Sequence, residues 1–432
     1  MPPIIAEGDP TRIITSEEKR SLVAAALSDI PIAPKRVLLV PPDITRVHSN
    51  AGELANIYYD LLKDSAHVDV MPGIGTHTPM TDAEIDSMFG GTIPRDRFLV
   101  HDWRHAVIKL GEVPGELVAA WSGGKLDYAI DVEVNQALVE GGYDLIMSIG
   151  QVVPHEIAGL ANYTKNILVG VGGSGMISRS HYLASVYGVD RLIGQIDTPP
   201  RRVMNYGYHN FLGELPIYYT LTVMEKSDTG GQMHMRGLYV GNDDATFEAG
   251  ARLSQQVNVT LFDKPLNKVI VYLEAAEFKT TWIGNKSVYR TRMAIAEGGD
   301  LIILAPGLRK FGEDPEIDQL IRKYGYRGTE RTLELVRNNA DLRANLSAPS
   351  HLIHSSSDGH FTITYCPGPA VTAEEIRSVG FEAGELDEMM ALYGPDKMTD
   401  GFNPLPDGEE VYFINNPGLG LWALRDRFQQ AE

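Results

Sequence analysis

Three side chains that could carry chemistry lie close together near the middle of the sequence. His155 is followed ten residues later by Lys165, and His181 follows sixteen residues after the lysine. Histidine gains or loses a proton near neutral pH and is a common metal ligand. Glycine lets backbone N–H groups approach a ligand closely, and the intervening segment contains a glycine run, Gly170, Gly172, Gly173 and Gly175. This combination predicts a nucleotide-like cofactor with reactive groups around it.

The glycines are expected to lie between a buried strand and a helix. Residues 166–171 form an apolar run that favours a buried strand, and residues 176–187 have a helical pattern. The N-terminus of such a helix could hold an anion. The pattern Gly170-x-Gly172-x-x-Gly175 also matches the dinucleotide fingerprint, which is a weak signal by itself. An ordinary glycine-rich turn of an α/β protein stays open as an alternative.

Further candidate residues follow two earlier predicted strands. Residues 36–40 and 67–71 are short apolar runs, and polar loops containing Asp43, Arg46 and His77 come after them. In open α/β sheets, ligands bind at the carboxyl ends of the strands. We therefore expect these three side chains to contribute to a site.

The order of the elements predicts an α/β protein of two domains. Single cores stop growing at roughly 250–300 residues, and this chain has 432 residues. We expect mainly parallel sheets in an N-terminal cofactor-binding domain, residues 1–265, and in a C-terminal domain, residues 266–409, with the active site in the cleft between them. The loop 402–409 could carry residues 410–432 back to the first domain.

Local patterns predict the other elements. Thr15-x-x-Glu18 and Thr81-x-x-Glu84 are capping boxes that begin helices. We expect further strands over 98–101, 128–134, 143–149, 267–272, 300–305, 361–365 and 410–415, and further helices over 50–63, 286–297, 315–324, 329–338 and from residue 372.

The composition limits the possible partners. The formal net charge of −19 argues against sequence-independent binding of nucleic acid and against binding to an anionic membrane surface, because both need a basic surface. Cys366 is the only cysteine, so no intrachain disulfide can form, which fits a reducing compartment. The sequence has neither an apolar run near 18 residues nor a signal-peptide pattern. We expect a cytoplasmic protein.

With these residues in view, the sequence resembles the lactate racemase family over nearly its whole length. That family uses a nickel-pincer nucleotide, the mononucleotide of nickel pyridinium-3,5-bisthiocarboxylic acid. The resemblance implies an isomerase that inverts C2 of a 2-hydroxy acid, with the cofactor-biosynthesis enzymes as partners. It is carried by Asp43-x-Thr45-Arg46, by Gly75-Thr76-His77 and by the spacing of His155, Lys165 and His181.

The resemblance also implies a role for each candidate. His181 would be the protein ligand of nickel, and Lys165 would join the cofactor's pyridinium ring through a thioamide. His77 and His155 would be the acid/base pair, and Arg46 would hold the substrate carboxylate. The remaining residues expected around the cofactor are Asp43, Thr45, Gly172 and Gly173.

This chemistry suits the residue types. Removing the C2 hydrogen as hydride avoids a dianion but needs an electron-poor acceptor, which a cofactor supplies. The hydroxyl proton must leave as well, and one histidine is needed on each face because the two enantiomers present the hydroxyl on opposite sides. A bidentate arginine suits the carboxylate, and sulfur, carbon and imidazole ligands are consistent with nickel.

One departure from the family pattern concerns the substrate. The family's Tyr-Gln-x-x-Lys element falls on residues 282–286, where Trp282 and Ile283 replace the first two residues and Lys286 is kept. Tryptophan offers a broad apolar face and one N–H donor. We expect Trp282 and Lys286 to contact a substrate larger than lactate, either a sugar acid such as an aldonate or an aryl or medium-chain hydroxy acid. Lactate itself stays an alternative.

Three other functions stay open. An NAD-dependent 2-hydroxyacid dehydrogenase would use the dinucleotide fingerprint and would need an acidic residue after the second strand, but Asp190 follows a helix. A non-catalytic protein that binds small anions would need Arg46 and not the histidine pair. A zinc hydrolase would need clustered histidines, and the sequence has no HExxH-type spacing.

Overall fold

The computed structural model of the chain describes residues 3–226 and 232–430, which divide into two compact units. The first unit contains the described residues of Met1–Ser180 and Ile196–Asn258, and the second contains those of His181–Gln195 and Val259–Glu432. Each unit has helices and a central, mainly parallel sheet. The predicted fold class is therefore confirmed.

The first unit is built on a six-stranded sheet, with two further strand pairs, β4-β5 and β7-β8, beside it in the chain. The strands of the unit are β1 Ile5–Gly8, β2 Arg36–Val40, β3 His67–Val70, β4 Val107–Val113, β5 Ile130–Asn135, β6 Leu145–Gln151, β7 Pro154–His155, β8 Gly159–Leu160, β9 Ile217–Lys226 and β10 Met233–Gly241. The sheet order is β1-β10-β9-β6-β2-β3, and β3, β2, β6 and β9 run parallel. The carboxyl ends of these four strands therefore meet at one edge.

Helices and short turns connect these strands. The helices are α1 Ser16–Asp29, α2 Ala51–Leu62, α3 Asp82–Phe89, α4 Gly115–Ser122, α5 Gln136–Glu140, α6 Ser174–Tyr187, α7 Pro199–Phe211 and α8 Asp244–Asn258. Both predicted capping boxes are formed, at the N-termini of α1 and α3. Leu39 of β2 and Met147 of β6 belong to one core cluster with Leu54 and Tyr58 of α2. The loops at the carboxyl edge thus begin from strands that are fixed by the core.

The strands of the second unit are β11 Val259–Phe262, β12 Leu266–Tyr272, β13 Ile295–Ala305, β14 Phe361–Pro367, β15 Glu382–Ala383, β16 Gly401–Pro404, β17 Glu410–Asn415 and β18 Leu421–Leu424. Six of them form a sheet in the order β15-β14-β13-β12-β17-β16, and β11 pairs separately with β18. The helices are α9 Thr281–Gly284, α10 Lys286–Tyr289, α11 Pro315–Tyr324, α12 Thr329–Asn338, α13 Ala340–Ala344, α14 Ser347–His354, α15 Ala373–Ser378, α16 Leu386–Tyr393 and α17 Arg425–Gln429.

The prediction of a strand over 166–171 was wrong. Asn166–Gly170 forms a buried π-helical turn. Asn166 causes this, because its side-chain amide donates to the carbonyl of Val40 and to the hydroxyl of Ser148, both at 2.9 Å, and so ties the turn to β2 and β6. A short apolar run cannot be distinguished from a buried helical segment by its periodicity. The dinucleotide fingerprint therefore lacks the strand that should precede it.

Two other element predictions were also wrong. Residues 98–101 form no strand, since Phe98 makes only an isolated bridge to Val70 after the 3-10 turn Arg95–Arg97. The helix expected over 286–297 ends at Tyr289, and β13 begins at Ile295. Pairing of β13 with β12 and β14 overrides the local helical preference there.

The C-terminal residues belong to the second unit and do not return to the first. β17 pairs with β12 and β16, and its Val411 and Phe413 are buried in a core cluster with Ile270 and Ile302. β18 pairs with β11, which moves the boundary to Asn258. The segment His181–Gln195 also joins this unit, because the Gln195 amide donates to the Phe428 carbonyl at 3.1 Å.

Candidate functional site

The loops after β2 and β3 bring an aspartate and a histidine together. Asp43 Oδ1 accepts hydrogen bonds from the Thr45 amide at 3.2 Å and the Thr45 hydroxyl at 2.5 Å, which fixes the 3-10 turn Ile44–Ser49. Asp43 Oδ2 lies 2.6 Å from His77 Nδ1. The imidazole is thus oriented by a buried carboxylate that its own loop already holds.

The charge of Asp43 determines which nitrogen of His77 carries the proton. Burial opposes ionisation of Asp43, but the hydrogen bond and charge of His77, the Thr45 hydroxyl and the charge of Arg46 outweigh it and lower the pKa of the carboxyl. An ionised Asp43 accepts the Nδ1 proton, so the neutral ring has its lone pair on Nε2. The His77 side chain is 50% exposed, and it can act as a base through Nε2.

Lys165 lies directly before the π-helical turn and near the same loops. The residue keeps some exposure, but protein surrounds its amine. Burial, followed by the charge of Arg46, lowers the pKa of the Lys165 amine to about 7, against the opposing charges of Glu156 and Asp43. A substantial fraction of the amine is therefore uncharged at neutral pH, the state in which an amine is a nucleophile.

The π-helical turn also supports the loop that carries His77. The Gly75 amide, at a φ of 57° that glycine adopts without strain, donates to the Gly170 carbonyl at 2.8 Å. The π-helical turn therefore begins next to Lys165, and its last residue, Gly170, is hydrogen-bonded to Gly75, two residues before His77. Lys165 and His77 are 88 positions apart in the sequence, and this contact brings their segments together in the unit.

His155 is buried in the short hairpin of β7 and β8. Its Nδ1 accepts a hydrogen bond from the Ile157 amide at 3.1 Å, so the neutral ring carries its proton on Nε2. The Glu156 carboxylate lies 3.6 Å from the same Nδ1. Proton placement in the neutral His155 ring is therefore the opposite of that in the neutral His77 ring.

The glycines of the central run are explained by close packing within the chain. A side chain at Gly172 would overlap the Leu168 carbonyl, and one at Gly173 would overlap the Glu133 carboxylate. That carboxylate also accepts the Gly175 amide at 3.3 Å, at the N-terminus of α6. The anion expected at this helix N-terminus is thus supplied by Glu133 of the chain itself. A role of Gly172 and Gly173 in binding a cofactor stays a prediction.

Sequence reasoning missed several residues that shape the site. Buried His101 hydrogen-bonds through Nε2 to the Gly172 carbonyl at 3.0 Å and through Nδ1 to the Asn135 amide at 3.0 Å, and burial lowers the pKa of its imidazole. Glu156 and the fully buried Arg201 act electrostatically on Lys165. No local pattern marks these residues, because each contact joins segments that are distant in the sequence or depends on burial.

The predicted substrate residues Trp282 and Lys286 lie on α9 and α10 of the second unit. The Trp282 ring packs against the ring of buried His351, with centroids 4.3 Å apart and an angle of 31°. The Tyr326 hydroxyl is 3.0 Å from His351 Nε2 and holds that ring. The Lys286 amine lies 5.8 Å from the centre of the Phe278 ring. Trp282 is thus supported by a histidine that no local pattern marks as part of a site.

His181 lies on α6, in the part assigned to the second unit. Among residues 3–226 and 232–430, no three His, Cys, Asp or Glu side chains are grouped as a metal site. Asp43 is in direct contact with Thr45 and His77. Arg46 and Lys165 interact with Asp43 through their charges. A shared site that also includes His181, Trp282 and Lys286 stays a prediction.

The N-terminal part of the chain is similar to lactate racemases. Residues 4–189 match the family model described as the lactate racemase N-terminal domain. A lactate racemase from Thermoanaerobacterium thermosaccharolyticum is 29% identical over 160 residues, which cover 36% of this chain and 34% of that protein. The aligned segment therefore spans about a third of the curated relative.

Two solved structures share the fold. A structural-genomics protein from Thermotoga maritima superposes with a TM-score of 0.81 at 24% identity, over 97% of this chain and 100% of that one. The lactate racemase apoprotein from Thermoanaerobacterium thermosaccharolyticum gives a TM-score of 0.69 at 17% identity, over 96% and 94% of the two chains. No helix in the described ranges has the length and apolar character needed to cross a bilayer.

Proposed function

We propose that this chain is a member of the lactate racemase family and a racemase or epimerase that inverts C2 of a 2-hydroxy acid. The observation that carries the proposal is the Asp43–His77 pair at the carboxyl edge of the first sheet, within electrostatic reach of Arg46 and Lys165. This set combines a base, a cation suited to a carboxylate and a partly uncharged amine. The proposed reaction needs all three.

The residues of the first unit fit a cofactor that is bonded to Lys165. Burial lowers the pKa of the Lys165 amine to about 7, so the amine is available to form a thioamide. We propose the nickel-pincer nucleotide as this cofactor, with His181 as the protein ligand of nickel. When bound, this group would supply an electron-poor pyridinium ring, which is the kind of hydride acceptor that the reaction needs. Because Glu133 occupies the N-terminus of α6, we propose that the nucleotide phosphate binds elsewhere.

The protein side chains would then manage the proton and the orientation of the substrate. Arg46 would hold the substrate carboxylate through its bidentate guanidinium. His77, with Nδ1 held by Asp43, would take the hydroxyl proton on Nε2 as hydride leaves C2. His155 would face the other side of the planar keto acid and would return a proton to the oxygen through Nε2, since its Nδ1 accepts the Ile157 amide. In the reverse direction the two histidines exchange roles.

The substrate is proposed to be larger than lactate. Trp282 offers an indole face that could pack on the C–H face of a polyhydroxy chain or on an aryl group, and His351 fixes the plane of that indole. Lys286 would add a positive charge for a polar or anionic group of the substrate. An aldonate, an aryl hydroxy acid or a medium-chain hydroxy acid would satisfy both residues.

The test is production of the chain together with the cofactor-biosynthesis enzymes. We expect about one nickel per chain, an added mass on the peptide that contains Lys165, and C2 deuterium exchange from D2O on a panel that runs from lactate to gluconate. His181→Ala should lose nickel and remain folded. Full activity in metal-free protein would refute the proposal for the cofactor, and lactate giving the highest kcat/KM would refute the proposal for the substrate.

A further inference from the structure

Arg201 is a buried arginine of the first unit. It lies in the first turn of α7 and is only 2% exposed. The charge of Asp244 acts on it, but its hydrogen bonds go to uncharged groups and its buried Nε makes none among the described residues. A buried charge is costly unless it is paired, so the guanidinium requires an explanation.

Its contacts converge on the segment that leads into Lys165. Nη1 donates to the Asn162 carbonyl at 3.1 Å and to the Thr164 hydroxyl at 3.0 Å, and Nη2 donates to the Leu160 carbonyl at 2.5 Å. The Arg201 guanidinium thus holds three groups between residues 160 and 164.

That segment has an unfavourable backbone conformation. Asn162 and Tyr163 are consecutive non-glycine residues with φ angles of 64° and 58°, in the left-handed region. Such residues persist only where the surrounding structure holds them. The Tyr163 hydroxyl donates to Asp244 at 2.8 Å, and its ring stacks on Phe247, 5.1 Å away and 11° from parallel. Arg201 packs on the same Phe247 ring, 4.4 Å from its centre.

We propose that Arg201 is a positioning residue for Lys165, because its guanidinium clamps the strained segment 160–164 that leads into the lysine and places a buried positive charge in that environment. The inference deepens the proposed function, since it rests on Lys165 acting as the attachment point of the cofactor.

The charges that act on Lys165 agree with this role. Burial is the largest cause of the lowered pKa of its amine; Arg46 and Arg201 lower the pKa further, while Glu156 and Asp43 raise it. Burial also lowers the pKa of Arg201, but only to about 10, so its guanidinium stays charged at neutral pH. Removing this charge should make the amine a stronger base and a poorer nucleophile at pH 7.5.

The experiment follows acylation of Lys165 in the cofactor-free, full-length chain. Acetic anhydride labelling from pH 6 to pH 10, read by mass spectrometry of the Lys165 peptide, gives the midpoint for wild type, Arg201→Gln, Arg201→Lys and Arg202→Gln. Hydrogen–deuterium exchange reports on the amides of residues 161–165. Arg202 is the matched control, because it is the next residue of α7 and forms an exposed ion pair with Asp197.

We expect a wild-type midpoint near pH 7 and a midpoint at least one pH unit higher in Arg201→Gln, which lowers labelling at pH 7.5 about threefold or more. Arg201→Lys should keep the low midpoint but exchange faster over 161–165, because a lysine cannot make the three contacts. Arg202→Gln should match wild type.

An unchanged midpoint in folded Arg201→Gln would overturn the proposal, as would an equal shift in Arg202→Gln. If Arg201→Gln does not fold, the test rests on Arg201→Lys. Hydrogen–deuterium exchange at the wild-type rate over residues 161–165 in that variant would overturn the proposal that Arg201 holds this segment. Neither cofactor nor substrate is present, so these outcomes are separate from the tests of the proposed function.

Discussion

Replacing Lys165 by methionine should stabilise the cofactor-free protein at neutral pH. The change keeps most of the apolar side-chain volume and removes an amine that the folded state holds in an environment unfavourable to its charge. Burial and Arg46 lower the pKa of this amine from the usual lysine value of about 10.4 to about 7. Between those two pH values the unfolded chain binds the proton and the folded chain releases it.

The magnitude follows from this difference. At pH 7 a fall of that size in the pKa lowers the free energy of unfolding by at most about 4 kcal/mol, since one pKa unit is about 1.4 kcal/mol. Lys165 keeps some exposure, and solvent screening reduces the effect, so we expect the methionine variant to be more stable by ~2 kcal/mol at pH 7. Because the folded state binds fewer protons, the stability of the wild type rises with pH over this window. The advantage of the variant should therefore shrink to about 1 kcal/mol or less near pH 10.

The assay is urea unfolding of wild type and Lys165→Met, each at pH 7 and pH 9.5, with protein that lacks the cofactor. Other titrating groups cancel in the difference between the two proteins. Lys125→Met, at an exposed lysine, controls for the loss of a surface charge and should change stability by less than about 0.5 kcal/mol. Two outcomes would refute the conclusion that the fold destabilises the charged Lys165 amine. One is a methionine variant that is less stable than wild type at pH 7, and the other is a stability difference between the two proteins that does not depend on pH.

Three further predictions concern other parts of the protein. Asp43→Asn should lower kcat roughly 10²–10⁴-fold in the cofactor-loaded enzyme, because His77 loses the acceptor that places its proton on Nδ1; a near-normal rate would make Asp43 structural only. Gly173→Ala should lower the free energy of unfolding by roughly 1–3 kcal/mol in urea titrations, since the added methyl overlaps Glu133. Trp282→Tyr should move the ratio of kcat/KM values toward smaller substrates by roughly 1–3 kcal/mol, and an unchanged ratio across the panel would exclude Trp282 from the pocket.

Local patterns were enough to predict β2, β3 and β6 of the first sheet and the polar loops that follow β2 and β3. β2 and β6 are short, mainly apolar runs, and such runs form buried strands when loops limit their length. Parallel strands place their carboxyl ends at one edge, so Asp43 and His77 could be assigned to the same side of the unit before their contact was known. The capping boxes at Thr15 and Thr81 were equally readable, because their hydrogen bonds lie within one helical turn.

Features that depend on partners distant in the chain could not be predicted from local patterns. The apolar run after Lys165 became a π-helical turn because the Asn166 amide reaches β2 and β6. The glycine run packs against Glu133, more than thirty residues earlier in the chain, and Arg201 reaches back to the segment before Lys165. The periodicity of a sequence shows which face of a helix or strand is buried. The contacts described here, and the desolvation of the Lys165 amine, depend instead on which distant segments the fold brings next to each residue.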